Sequence, residues 1–465
     1  MNRAQGTVKT DAAAHDTEGR KKVGKQTERA PGRLPEHLPR KLTISFWYHD
    51  WLSAALPGAP FEDLDACVAG MKQRGFNTAR AGIGLTYAFR LDGRPRGPML
   101  FAPPVPGFAR SQVFASHGGR RDAIERLIQL LELARRHGVW IILTSWEYQD
   151  STCVGEPSVR AELASVPKER RFMYLAEQHD RLLGILKAEG LADRLAFVEI
   201  HNEPEYSDLP QGTEGKRLHE EAIAFLRARH PDILISADFA SHDYAIVPNN
   251  AQVFDQHIYA GAEWHLSGLY GKTVCHPALD IHNPRAFPPL ARVLKDDISP
   301  LDEFIVAADK VGRDDPSVTD GWRKMLWLWE NISIAKWDEF MAESFAEWKT
   351  RIWDKAKKHF AEDSREGKRR GLPMVLDESG FFCPPPQSRW ELGGDALALL
   401  DFLANLAIQH GYWGFMPGTY SGPQHIIWRE RPDWLRAVNS RFQRGITQEP
   451  WGQPLIINNA RLAIL

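Results

Sequence analysis

From Lys41 onward, short runs of β-branched, aliphatic or aromatic residues alternate with longer segments of helical period, and this rhythm restricts the fold more than any other feature. It is the pattern of parallel strands joined by crossover helices. Residues 42–47 read as a first strand. Residues 61–74 then place Leu64, Cys67, Val68 and Met71 on one helical face, which Gly75 terminates. A second strand at 76–81 precedes a helix over about 121–137, with Ile124, Leu127, Ile128 and Leu131 on one stripe and Gly138 as its stop. The third strand spans 139–144 and the fourth 194–200, each followed by a helix, around 175–186 and 218–226. A fifth strand at 233–238 leads through a loop of little helical pattern to a sixth at 253–259. Segments 373–377 and 412–416 are the seventh and eighth strands, with helices expected at 395–408 and 434–442.

Eight sequential units predict an α/β chain folded as a (β/α)8 TIM barrel. The rival, a doubly wound open sheet, lacks its glycine-rich phosphate loop after the first strand. Residues 1–40, rich in charge, Gly, Thr and Gln, read as a flexible tail, and 41–465 as the catalytic barrel. Within it, 261–371 is far longer than an ordinary connection and forms a helical insertion between strands six and seven. The insertion carries Trp322, Trp327, Trp329, Trp337, Trp348 and Trp353. Indoles stack on sugar rings, but for each of these the packing of helices is the expected role.

Composition narrows the function. With 58 Lys+Arg against 60 Asp+Glu there is no bulk charge to attract nucleic acid, and a neutral ligand fits better. Cys67, Cys153, Cys275 and Cys383 form no C-x-x-C pair, which argues against structural zinc or a disulfide framework. No stretch has the apolar length of an export signal or a bilayer span, so a cytoplasmic protein without a membrane partner is expected. Neither a cofactor nor a metal is expected, and the oligomeric state is not specified.

In a β/α barrel the active site lies at the C-terminal ends of the strands, which filters the carboxylates. Strand four ends in Glu199-Ile200-His201-Asn202-Glu203-Pro204-Glu205, delivering an amide and a carboxyl to the rim before proline stops the ladder. Strand seven ends in Leu376-Asp377-Glu378-Ser379-Gly380. Strict alternation lets only one of Asp377 and Glu378 face the mouth. Two carboxyls in different environments suit glycosidic cleavage: one donates a proton to the leaving oxygen, while the other, ionised, attacks or stabilises the oxocarbenium-like centre.

These segments resemble glycoside hydrolase clan A, and are most similar to cellulase-like proteins near glycoside hydrolase family 5, over about 42–442. The resemblance implies a retaining hydrolase with Glu203 as acid/base, following Asn202, and Glu378 as nucleophile, their carboxyls about 5 to 5.5 Å apart. It further implies that Arg80, in Phe76-Asn77-Thr78-Ala79-Arg80, supports the nucleophile, and that His257 and Tyr259 lie near the catalytic centre. The chain departs from the family after strand three, where Ser145-Trp146-Glu147-Tyr148 stands in place of a histidine. The eighth strand, which holds Trp413, does not fix which aromatic forms the sugar platform. Trp146, Trp413 and, from the cluster Phe46-Trp47-Tyr48-His49-Asp50-Trp51, Trp47 are the expected aromatic contacts to an oligosaccharide or glycoside substrate. Transglycosylation on the same site and a catalytically silent sugar-binding barrel remain alternatives. So does a metal-dependent barrel hydrolase, although His49-Asp50 lacks the usual His-x-His partner.

Overall fold

The computed structural model describes residues 34–55, 57–101, 119–148, 157–260, 279–303, 327–380, 388–418, 421–448 and 454–455. The eight strands close into a parallel barrel: β1 Leu42–Tyr48, β2 Thr78–Gly82, β3 Trp140–Thr144, β4 Leu195–Glu199, β5 Ile235–Phe239, β6 Phe254–Gln256, β7 Met374–Leu376 and β8 Gly414–Phe415. Each strand pairs with its sequence neighbours, and β8 closes the ring by pairing Gly414 with Leu42. The expected order and number of strands therefore stand.

Helices α1 Leu64–Gln73, α2 Ala123–His137, α3 Arg171–Ala188 and α4 Gly212–Arg229 follow the first four strands. Asp63 caps α1 by accepting from the Ala66 N–H, and Asp122 caps α2 by accepting from those of Ile124 and Glu125. At the far end of α2, Gly138 turns the chain left-handed at φ 63°, beside a last turn of Arg135, Arg136 and His137 that suits the helix dipole. Helices α3 and α4 begin earlier than expected, α3 with Phe172 and Tyr174 already buried in its first turn. No described helix joins β5 to β6, as the weak pattern there implied.

Two apolar layers hold the barrel. Inside it, Leu42, Ile44, Ile142, Phe197, Val253, Val375 and Met416 fill the lower bore. Leu38 packs with them, and the Trp413 indole N–H donates to the Pro39 carbonyl at 3.0 Å. Outside, the stripes of the helices meet the other faces of the strands: Leu127, Leu131 and Val68 are fully buried there, with Ile128 partly so.

The insertion between β6 and β7 ends in α5, Ile334–Arg370, one helix of 37 residues. At about 1.5 Å per residue it is roughly 55 Å long. Trp337, Met341, Phe345, Ile352, Ala356 and Phe360 form its buried edge. Gly367 lies against Met374 and Phe254, so the C-terminal half of α5 occupies the barrel-helix position before β7. Among the insertion tryptophans, Trp327, Trp329 and Trp337 are buried and Trp353 stacks on Phe402 at 5.0 Å. Packing is thus the role of these four, while Trp322 lies outside the described residues. Helices α6 Gly394–His410 and α7 Pro432–Arg444 complete the ring. Cys67 is a buried free thiol; the other three cysteines lie outside the described residues. No described helix is long and apolar enough to cross a membrane.

Candidate active site

Above the apolar bore the interior turns polar, and its organising residue is Arg80. The strand register sets it beside Phe46 and Ile142, and its side chain is fully buried. Its Nη2 donates to Glu199 and to Asn202 Oδ1, each at 2.8 Å, and lies 3.3 Å from Asp238. Nε sits 2.6 Å from Asp377 Oδ2, and Nη1 donates to Glu378. Burial opposes the guanidinium charge, but Asp377, Glu199 and Glu378 outweigh it and keep Arg80 a permanent cation. The Trp146 ring stacks beneath, 4.9 Å from the guanidinium carbon, with Tyr48 edge-on to it at 4.9 Å. Gly82 makes room for that indole: a Cβ there would come within 2.5 Å of it.

Glu203 leaves β4 in a left-handed conformation, φ 40° and ψ 61°, which a side chain adopts only under constraint. The constraint is visible on both sides. Its own N–H donates to Asp238 at 3.0 Å, and the Asn202 N–H donates to the Ser145 carbonyl at 2.8 Å. Glu205, partly buried, accepts from the N–H groups of Ala240 and Ser241 and ties this turn to the end of β5.

His257 and Tyr259 follow β6 two residues apart, so both lean toward the mouth. The Tyr259 hydroxyl donates to Glu378 Oε2, the oxygen Arg80 does not hold. His257 Nδ1 is 2.6 Å from Glu203 Oε1, and its Nε2 is 3.0 Å from Asp377 and 3.3 Å from Asp238. Burial disfavours an imidazolium, yet Glu378, Asp377 and Glu203 overcome it and raise His257 well above the usual histidine range.

Glu378 and Asp377 both reach the interior, which corrects the expectation that only one could. Strand β7 ends at Leu376, and beyond it the Ile258 N–H donates to the Glu378 carbonyl while Ile258 bridges to Ser379. Pairing runs Asp255 to Val375 and then Ile258 to Ser379, one extra residue on the β7 side, so strict alternation no longer applies. The carboxyl oxygens of Glu203 and Glu378 and a nitrogen of His257 all lie within 4.8 Å of one another.

The interior holds more carboxyls than cations. Asp238 and Asp255 are directly paired neighbours on β5 and β6. Burial raises Asp238 to about 7 and lifts Asp255 and Glu199 well above the ordinary carboxylate range, against the pull of Arg80. Burial also raises Glu378, partly offset by His257 and Arg80. Asp377 goes the other way: burial opposes its charge, but Arg80 and His257 together hold it down at about 2. Arg80, His257 and Asp377 are thus shifted toward their charged forms, and Asp238, Asp255, Glu199 and Glu378 toward their protonated ones. Sequence reading missed Glu199, Asp238 and Asp255, although an acid within an apolar strand was itself the available signal.

Two expected contacts are corrected. Trp413 precedes β8 and packs on Phe197 at the bottom of the barrel, at the opposite end from the site. Trp47 points outward, fully buried against Phe61, because β1 alternates and Phe46 takes the inward position. Arg80, His257 and Tyr259 contact the two glutamates, and Asn202 and Trp146 contact Arg80.

Among the described residues, two groups have the composition of a metal site, Glu203-His257-Glu378 and Asp255-His257-Asp377. Both depend on His257, whose nitrogens already face Glu203 and Asp377 at hydrogen-bonding distance. The donor set fits a protonated imidazole between carboxylates better than a ligand, which must present a bare nitrogen.

No protein-family model and no curated protein matches the chain. Solved structures do. A candidate glycoside hydrolase from Parabacteroides distasonis is 16% identical with a TM-score of 0.61, over 89% of this chain and 96% of that one. A glycoside hydrolase family 5 mannosidase from Rhizomucor miehei is 13% identical with a TM-score of 0.44, over 87% and 94%. The first of these likenesses establishes the shared barrel fold.

Proposed function

We propose that the chain is a retaining glycoside hydrolase that acts by double displacement. Glu378 attacks the anomeric carbon while Glu203 gives its proton to the leaving oxygen. Glu203, now a carboxylate, then takes a proton from the water that releases the sugar from Glu378. The observation that carries this reading is the pair of carboxyls with oxygens within 4.8 Å of one another, differently furnished. Glu378 receives Arg80 and Tyr259, and Glu203 faces His257. Retaining enzymes keep their carboxyls about 5 to 5.5 Å apart, whereas inverting ones leave about 6.5 to 9.5 Å for a water.

Trp146 and Tyr48 offer the aromatic surface against which a sugar ring packs, and the amide of Asn202, oriented by Arg80, is placed to bind a sugar hydroxyl. The substrate we propose is a short oligosaccharide or small glycoside met in the cytoplasm, not a crystalline polymer. The test is a panel of aryl glycosides and short oligosaccharides with products followed by anomer-resolved NMR. Net retention is expected. Inverted product overturns the mechanism, and efficient cleavage of insoluble glucan with little action on small glycosides overturns the substrate class.

A further inference from the structure

Asp377 stands beside the nucleophile but makes its contacts elsewhere. Its Oδ1 is 3.0 Å from His257 Nε2 and its Oδ2 is 2.6 Å from Arg80 Nε, so one buried carboxylate bridges the two cations of the site. On the other face of the imidazole, Nδ1 is 2.6 Å from Glu203. We infer that Asp377 is a positioning residue for the acid/base step: through His257 it sets the orientation and charge of the group that holds Glu203. The inference rests on the proposed glycosidase reading for its chemistry, but not for its geometry.

His257 is surrounded from every side. Glu203 faces it from the end of β4, Asp238 from β5, Asp377 and Glu378 from the end of β7, Asp255 lies on its own strand, and Arg80 approaches from β2. Of the acids, Asp238 and Asp255 are pushed upward by burial, toward their uncharged forms. Asp377 is shifted the other way, its charge favoured by Arg80 and His257, and its contact with Nε2 fixes the ring so that Nδ1 points at Glu203. When Glu203 gives its proton to the leaving oxygen, the new carboxylate forms 2.6 Å from an existing positive charge. No proton leaves His257. When Glu203 takes a proton from the incoming water, the same charge remains in place for the next cycle. This arrangement matches an acid/base that must be competent in both forms.

The experiment combines Asp377→Asn, which keeps the shape, with two readouts. In ring-labelled protein, NMR of His257 in the wild type is expected to show the imidazolium at pH 7 and above, and Asp377→Asn to bring its loss down by at least about one pH unit. Glu203→Gln is expected to leave the imidazolium in place at pH 7. In kinetics on kcat/KM, the basic limb of the Asp377→Asn profile moves upward by about one unit, because the nearer positive charge is lost. Aryl glycosides with poor leaving groups slow by at least about tenfold, while dinitrophenyl glycosides, which depart without a proton, hold their rate. A neutral His257 in the wild type at pH 7 overturns the inference without any variant. An equal loss on both substrate classes with unmoved limbs also overturns it, since Asp377 would then act only through Arg80. If the wild type cleaves no glycoside yet His257 shows the Asp377-dependent charge, the functional reading fails and the positioning role stands.

Discussion

Tyr259→Phe removes one oxygen atom from the site and leaves the packing of the ring, which makes it the cleanest probe of how Glu378 is held. Two donors serve that carboxylate on separate oxygens, Arg80 on Oε1 and Tyr259 on Oε2. Glu378 is only 6% exposed, so water replaces the lost hydroxyl poorly. A hydrogen bond to a charged group contributes about 1.5–3 kcal/mol. Since Arg80 remains, the lower end applies, and about 1.4 kcal/mol is a factor of ten in rate. The variant should therefore lose at least about tenfold in kcat with a smaller change in KM. The acid limb moves as well. Tyr259 donates to the ionised form, so without it Glu378, already raised by burial, protonates at still higher pH. The limb should shift upward by about one unit. Initial rates on an activated aryl glycoside across the pH range, with the fold checked by circular dichroism, provide the assay. A folded variant with wild-type kcat and an unmoved acid limb refutes the reasoning.

Glu378→Gly should abolish turnover and be rescued by azide with an inverted glycosyl azide, whereas Glu203→Ala should yield the retained one; NMR of the products decides. Gly82→Ala forces a methyl to within 2.5 Å of Trp146, and should cost about 1–3 kcal/mol in denaturant unfolding and weaken substrate binding. A wild-type midpoint would show that the indole has room to shift. Asp238 holds its proton to about 7 in the folded chain and only to about 3.8 when unfolded. Between those values the folded state binds the extra proton, so its contribution to stability is full below about 3.8 and is lost as pH rises toward 7. Unfolding midpoints for wild type and Asp238→Asn across pH 4 to 8 should differ in slope over that window, and parallel curves count against it.

The barrel and the two glutamates were legible because their signals are local. Apolar runs with period-two alternation mark the strands, and Asn202-Glu203-Pro204 sits where such a run stops. Arg80, His257 and Tyr259 were found through resemblance and are confirmed as neighbours of the glutamates by their contacts alone. What was illegible depends on register and on depth within the bore. Trp413 and Trp47 are aromatic and near strands, but one stands below β8 and the other faces the helices, a distinction that sequence shows only when strand ends are known to a residue. Asp377 was set against Glu378 by alternation, which fails where the pairing of β7 with β6 slips by one residue. Glu199, Asp238 and Asp255 are ionisable residues spread over 57 positions, and only closure of the barrel brings them around one arginine and one histidine.

The left-handed backbone at Glu203, φ 40°, carries a consequence for anyone who selects this protein for robustness. A side chain in that region costs of order 1 kcal/mol or more that glycine does not, and asparagine tolerates it better than glutamate. Glu203→Gly should accordingly unfold at a higher temperature than the parent. A library screened for heat resistance without a sugar substrate would discard this glutamate early, and its survivors would be durable and inert. The proposed proton donor thus sits at a position where heat resistance and turnover pull in opposite directions, and a screen that scores both is the one that keeps it.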